Sequence, residues 1–227
     1  MSTIDTQHVR RRLRAWTDLL SVRHITLGRA WYHQAHEFAQ GLATRFDVPL
    51  PAVCGVISCL SPQCPWEITM RDSERLISAW AQGIRLKSLT TYGAQVRKAL
   101  AILDAEEPLR SDPQDVQAMV GGKDSPKTRA FYWNILCPLR CLDVTIDRWI
   151  LRALLDLDAI DGGNHYRSVY RQLAKEFIDF ALAHNWVPCE LQAAVWFCAK
   201  ETMDGREFRN VKTAEEFAEK DLTPAPF

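Results

Sequence analysis

The fold of this chain is read from Gly121-Gly122-Lys123-Asp124-Ser125-Pro126-Lys127-Thr128 and, further on, from Val144-Thr145-Ile146-Asp147-Arg148-Trp149-Ile150. In the first stretch paired glycines end one helix, Ser125 stands where a hydroxyl caps the next, and Pro126 suits a first helical position, which has no use for an N–H. A turn of this kind aims free backbone N–H groups outward, and Lys123 and Lys127 beside them make it a seat for a phosphate. A plain loop is the other reading of a Gly-Gly connection. In the second stretch Asp147 falls twenty positions after Lys127, in the first turn of an otherwise apolar helix. Unpaired N–H donors and the helix dipole favour a carboxylate there. It either caps its helix or serves chemistry, and position alone leaves both open.

Outward from this centre, apolar residues recur every three or four positions and alternating strand-like runs are nearly absent, which predicts an all-α protein. The periodicity predicts helices over Thr6 to Leu20, Gly28 to Phe46, Pro51 to Leu60, Pro65 to Ala81 and Thr91 to Asp104. Five more follow over Pro113 to Val120, Ser125 to Leu136, Thr145 to Leu157, His165 to Ala183 and Pro188 to Lys200. Breaks carry their own chemistry: Pro49 and Pro51, Gly83, the Ser111-Asp112-Pro113 cap, Pro138 and Gly162-Gly163-Asn164. No repeat or linker divides the chain, so one helical domain is expected over 1–204. A tail is expected over 205–227, where acidic residues gather and the chain ends in Pro224-Ala225-Pro226.

Composition narrows the class. With 227 residues, 47% hydrophobic and 25% charged, the chain has ample core, and no uncharged run approaches the roughly 20 residues of a membrane span. Asp5, Arg10, Arg11 and Arg12 precede any apolar stretch, which leaves no secretory segment and makes the reducing cytoplasm the expected compartment. Seven cysteines, odd in number and set mostly in apolar runs, suit buried thiols better than disulfides. His33 and His36 share a helical face without a thiolate or carboxylate at ligand spacing, so no zinc and no other cofactor is expected. The 28 basic and 28 acidic residues balance, which by itself gives no sign of nucleic acid. Arg10, Arg11, Arg12 and Arg14 read as a solvated helix face, with reach to a DNA backbone the alternative.

Three ordered stretches, spanning Val53 to Leu155, resemble the helix-hairpin-helix DNA glycosylase superfamily, the group that includes endonuclease III and adenine glycosylase. Leu60-Ser61-Pro62-Gln63 is similar to the Leu-Ser-Ala-Gln segment whose Gln enters the gap left by an extruded nucleotide. Tyr92-Gly93 with Arg97-Lys98-Ala99 and Leu100, Ile102 and Leu103 is similar to the helix before the hairpin. Gly122, Lys127-Thr128, Asn134 and Val144-x-x-Asp147 resemble the hairpin, the lysine helix and the Val-Asp segment. The resemblance implies two helical lobes around a cleft, the N- and C-terminal helices sharing one lobe and the hairpin lying near 113–137.

It also implies roles. Asp147 would stabilise the positive charge that develops on deoxyribose as an N-glycosidic bond breaks. Lys127, in the branch that also cuts the strand, would attack the anomeric carbon and leave a Schiff base, provided neighbours such as Lys123, Arg129 or Arg148 help free its amine of a proton. Gln63, Gly121, Gly122, Lys123, Ser125, Thr128 and Arg148 would contact DNA, and Trp66, Tyr132 and Trp149 would wall the pocket of a flipped base. The implied activity is excision of a modified or mispaired base by a monomer, with or without a lyase step. Two alternatives share the fold: a phage-type enzyme that modifies an activated 5-hydroxymethyluracil in DNA, and a DNA-binding module without catalysis. The chain departs from the family where Pro-Gly-x-Gly-x-Lys becomes Val120-Gly121-Gly122-Lys123-Asp124-Ser125-Pro126-Lys127. It also lacks the four closely spaced cysteines of an iron–sulfur cluster, since Cys189 and Cys198 stand apart.

Overall fold

Capping chemistry sets most of the boundaries in the computed structural model, which describes residues 4–86, 89–121, 125–156 and 164–204. These residues form ten α-helices: α1 (Thr6–Asp18), α2 (Val22–Phe46), α3 (Leu50–Leu60), α4 (Trp66–Ala81), α5 (Gly93–Leu103), α6 (Pro113–Val120), α7 (Pro126–Leu136), α8 (Arg148–Leu155), α9 (Asn164–Ala183) and α10 (Pro188–Asp204). No strand occurs among the described residues, so the all-α expectation holds. Asp5 caps α1 by accepting from the His8 N–H at 3.0 Å. Asp112 caps α6 through the N–H groups of Gln114 and Asp115, with Pro113 in the first turn. The Gly162-Gly163 break and the tail over 205–227 lie outside the described residues.

Two starts, those of α2 and α8, fall furthest from expectation. α2 begins six residues before Gly28, because Ser21 and His24 form a reciprocal capping box in which an imidazole does the work usually given to Glu or Gln. Gly28 therefore lies inside the helix, and a Cβ there would sit 2.5 Å from the Ala194 Cβ of α10. The glycine marks a close helix crossing where a start was expected. α8 begins at Arg148, leaving Asp147 as its cap, while Thr145 is drawn inward to accept from Asn134 at 3.1 Å.

Two apolar clusters organise these helices. One gathers α2 through α7, with Val53, Ile57, Ile102, Leu103 and Ile135 fully buried. The other gathers α1, α8, α9 and several residues of α10 around Leu13, Ile150, Leu173 and Phe177, so the N-terminal helix packs with the C-terminal ones. α10 serves both, giving Cys189 and Ala193 to the first and Leu191, Val195 and Cys198 to the second. The arginines of α1 form a solvated face, with Arg10, Arg11 and Arg14 exposed, and three of the four are also engaged. Arg10 donates to Glu176 at 2.6 Å, Arg12 to the Ala153 carbonyl at 2.8 Å and to Asp156 at 2.9 Å, and Arg14 meets His184 at 2.8 Å. They tie α1 to α8 and α9.

All seven cysteines are free thiols. Burial pushes Cys59 and Cys189 up to about 12, which leaves them inert near neutral pH. No helix among the described residues is long and apolar enough to cross a membrane.

Candidate functional site

Asp147 holds its carboxylate in a fixed frame. One oxygen, Oδ1, accepts from the backbone N–H groups of Trp149 at 2.9 Å and Ile150 at 3.1 Å. The other, Oδ2, accepts from the indole N–H of Trp196 at 2.8 Å. Capping residue and fixed charge are thus one group, because donors at a helix start point where a carboxylate sits. Asp147 as a residue is half-buried.

Trp196 opens an aromatic wall. Its ring stacks on Trp31 of α2 with centroids 6.1 Å apart, Trp31 meets Trp66 of α4 at 5.3 Å, and Trp66 meets Phe131 of α7 edge-on at 6.4 Å. These four rings are all half-buried. They cross from one apolar cluster to the other, since Trp31, Trp66 and Phe131 pack on the first and Trp196 on the second. Lys200, one turn beyond Trp196, places its Nζ 4.9 Å from the Trp196 ring centroid. Burial lowers the Lys200 ammonium from its ordinary value, against the opposing pull of Asp204, Glu67 and Asp147.

Beneath the wall lies a polar layer. The Tyr32 hydroxyl donates to Gln192 Oε1 at 2.8 Å, and Asn134 Nδ2 donates to Thr145 Oγ1 at 3.1 Å. Burial raises Tyr32 well above the usual phenol range, so the layer stays neutral. Asn134 is fully buried, and its Oδ1 has no hydrogen-bond partner.

The other expected residues fall in distinct places. Trp66 belongs to the wall. Lys127 lies one turn before Phe131 on α7, so the two share a helix face, and Lys127 and Thr128 are half-buried. Gln63 is exposed on the turn between α3 and α4 in the left-handed region, φ 61°, and accepts from the Tyr92 hydroxyl at 2.6 Å. Gly121 ends α6 at φ 147°, and a Cβ there would meet the Ser125 side chain at 2.7 Å, so the hairpin requires a glycine on two counts. Gly122 and Lys123 lie outside the described residues.

Three expectations need correction. Ser125 occupies the cap position of α7, yet its side chain makes no capping bond, because its backbone turns away at φ −129°, ψ 65°. Tyr132 is fully buried with its hydroxyl on the Pro113 carbonyl at 3.1 Å, and lines no open pocket. Trp149 is also buried, its ring flanked by the guanidinium groups of exposed Arg148 at 5.2 Å and of Arg152 at 4.8 Å. Sequence reasoning missed Trp31, Trp196 and Lys200. The signal for the last two was the Gln192, Trp196, Lys200 stripe at four-residue spacing on an otherwise apolar helix.

The chain belongs to DUF7178, a family of unknown function whose profile matches residues 2–203. No curated protein and no solved structure matches it.

Proposed function

We propose that the protein excises a base from DNA, acting as an N-glycosylase on a nucleotide turned out of the duplex. The observation that carries this reading is the carboxylate of Asp147, held by three N–H donors at the edge of a half-buried aromatic wall. A flipped base is recognised largely by stacking, and Trp66, Trp31 and Trp196 supply π-faces across which it would lie. Its sugar would then sit near Asp147. Asp147, its oxygens oriented by three donors, acts through its charge, opposite the cation that develops on the sugar. The two apolar clusters are read as two lobes, with this wall where they meet.

Excision breaks the bond between the anomeric carbon and the base nitrogen, and the base leaves with the bonding pair and takes up a proton. In the monofunctional form water supplies the hydroxyl that the sugar gains. In the lyase form the amine of Lys127 adds to the anomeric carbon, and opening of the sugar ring leaves an iminium. Gln63, left-handed and steadied by Tyr92, is the side chain offered to the gap in the duplex; local strain of this kind gathers where a loop performs a task.

The test is incubation with duplexes carrying uracil, hydroxymethyluracil, oxidised or alkylated bases, with borohydride trapping. Release of free base supports excision, and a covalent adduct lost in Lys127→Ala assigns the lyase step. Nucleosides that stay intact but grow heavier, given an activated thymine and an amine, overturn excision in favour of base modification on the same wall. Binding without any change to a nucleoside overturns catalysis altogether.

A further inference from the structure

Residues 141–147, the last stretch of the connection from α7 to α8, belong to no helix. Their buried N–H and C=O groups therefore have no regular partner and must be satisfied one by one. Tyr170 of α9 does this for two of them: its hydroxyl donates to the Val144 carbonyl at 2.8 Å and accepts from the Ile146 N–H at 3.2 Å. All three residues are buried. A phenylalanine in place of the tyrosine would leave a carbonyl and an N–H unpaired away from water, which is unfavourable enough to make this strap shift.

Thr145, between those two, is held from another helix. Asn134 of α7 is fully buried and donates its Nδ2 to Thr145 Oγ1 at 3.1 Å, while its Oδ1 accepts nothing. A buried amide with an unpaired acceptor lowers stability, and an apolar side chain of its size would fill the same space without that cost. What asparagine adds at this position is its hold on Thr145. Val144 and Ile146 pack with α9 in the second apolar cluster, whereas α7 belongs to the first. The strap is thus pinned to both clusters over residues 144–146, directly before the carboxylate that meets Trp196.

We propose that Tyr170 and Asn134 are positioning residues for Asp147: one pin to each apolar cluster fixes the strap, and so fixes where the carboxylate stands against the aromatic wall that the two clusters share. For its effect on rate the inference rests on the excision reading. Neither residue touches the nucleotide; each acts through the strap, and a displacement of about 1 Å at the reacting groups can cost about 10²-fold in rate.

The full-length wild type is compared with Tyr170→Phe and with the double variant Asn134→Leu/Thr145→Val. The double variant replaces both partners of one bond by apolar groups of similar shape, which leaves stability close to wild type; it carries the test should Tyr170→Phe fail to fold. The first readout needs no activity. The indole N–H of Trp196, assigned by its loss in Trp196→Phe, reports in a proton–nitrogen NMR spectrum whether Oδ2 of Asp147 is still in place, and it should move in both variants. The second readout is base release, where kcat should fall about ten- to a hundredfold with KM unchanged, and in the double variant at an unchanged urea midpoint. A loss of stability alone would not move these two readouts together. A Trp196 signal at its wild-type position in every folded variant overturns the positioning role, as does a displaced signal with wild-type kcat. Should wild type release no base from any duplex, the excision reading fails, and the indole signal alone decides whether the pins place Asp147.

Discussion

Asp147 serves two purposes whose separation is measurable. Asparagine caps a helix about as well as aspartate, but its amide nitrogen cannot accept from Trp196, so Asp147→Asn should keep the cap and cost about 1.5–3 kcal/mol in urea unfolding. It removes the negative charge, however, and base release should fall by roughly 10²–10³-fold, as when a preorganised electrostatic group is lost. A variant that releases base at the wild-type rate defeats the mechanism. Trp196 is tested by a pair of substitutions, because its ring and its N–H do different things. Trp196→Phe keeps a ring against Trp31 but removes the donor to Oδ2. A hydrogen bond to a charged group contributes about 1.5–3 kcal/mol, so kcat should drop by about tenfold or more while KM holds. Trp196→Ala, which removes the stacking face, should raise KM as well. Asp147 was legible in the sequence because helix capping is local: a carboxylate before an apolar helix says where it will sit. Trp31 and Trp196 were not, since they lie on helices far apart in the chain and outside the Val53 to Leu155 stretch that carries the resemblance.

All ten helices were legible from apolar periodicity, since each has to bury one face against its neighbours. What escaped were joints made by one polar group. The loop before α5 is an example. Asp72 of α4 is buried and accepts from Arg71 at 2.9 and 3.1 Å, and from the Thr90 N–H at 2.8 Å. Thr90 precedes Tyr92, the residue that steadies Gln63, so a carboxylate on α4 positions the loop that supports the exposed glutamine. Burial alone would raise the Asp72 carboxyl; bonds from Thr90 and Arg71 outweigh it and hold it below the ordinary range. The folded value being the lower one, its contribution is present above the unfolded value of about 3.9 and is lost as pH falls through the folded value. Asp72→Asn should therefore destabilise by about 2 kcal/mol at neutral pH, the worth of charged hydrogen bonds to a buried acceptor. The gap to wild type should stay constant down to about pH 5 and close below about pH 4. Urea midpoints across that range check it, and a gap that widens on acidification refutes the assignment.

The aromatic wall crosses from one apolar cluster to the other, so the packing of α2 on α10 governs both stability and site. Trp31 and Trp196 face each other along that seam, and Gly28 against Ala194 sets how closely the two helices approach. A Cβ at Gly28 would lie 2.5 Å from a side-chain carbon and 2.6 Å from the backbone nitrogen of Ala194, and the latter has no freedom to turn aside. Gly28→Ala must therefore push the helices apart, and overpacking of this kind costs about 1–3 kcal/mol, more than the roughly 1 kcal/mol that alanine returns as a better helix former. Gly41 provides the internal control, since it lies on the same helix with nothing within 4 Å of an added Cβ. Gly41→Ala should stabilise by about 0.5–1 kcal/mol, and raise Tm by a few degrees. One substitution, made twice on one helix, thus has opposite expected signs. Near-UV circular dichroism separates the seam from bulk stability: it should change in Gly28→Ala, where the Trp31–Trp196 stack is disturbed, and stay as in wild type in Gly41→Ala. Base release should follow the dichroism and not the Tm, because the stacking face and the indole donor to Asp147 both move with α10. If Gly28→Ala raises Tm and leaves the tryptophan signal intact, the crossing is looser than its distances state, and the site does not depend on it.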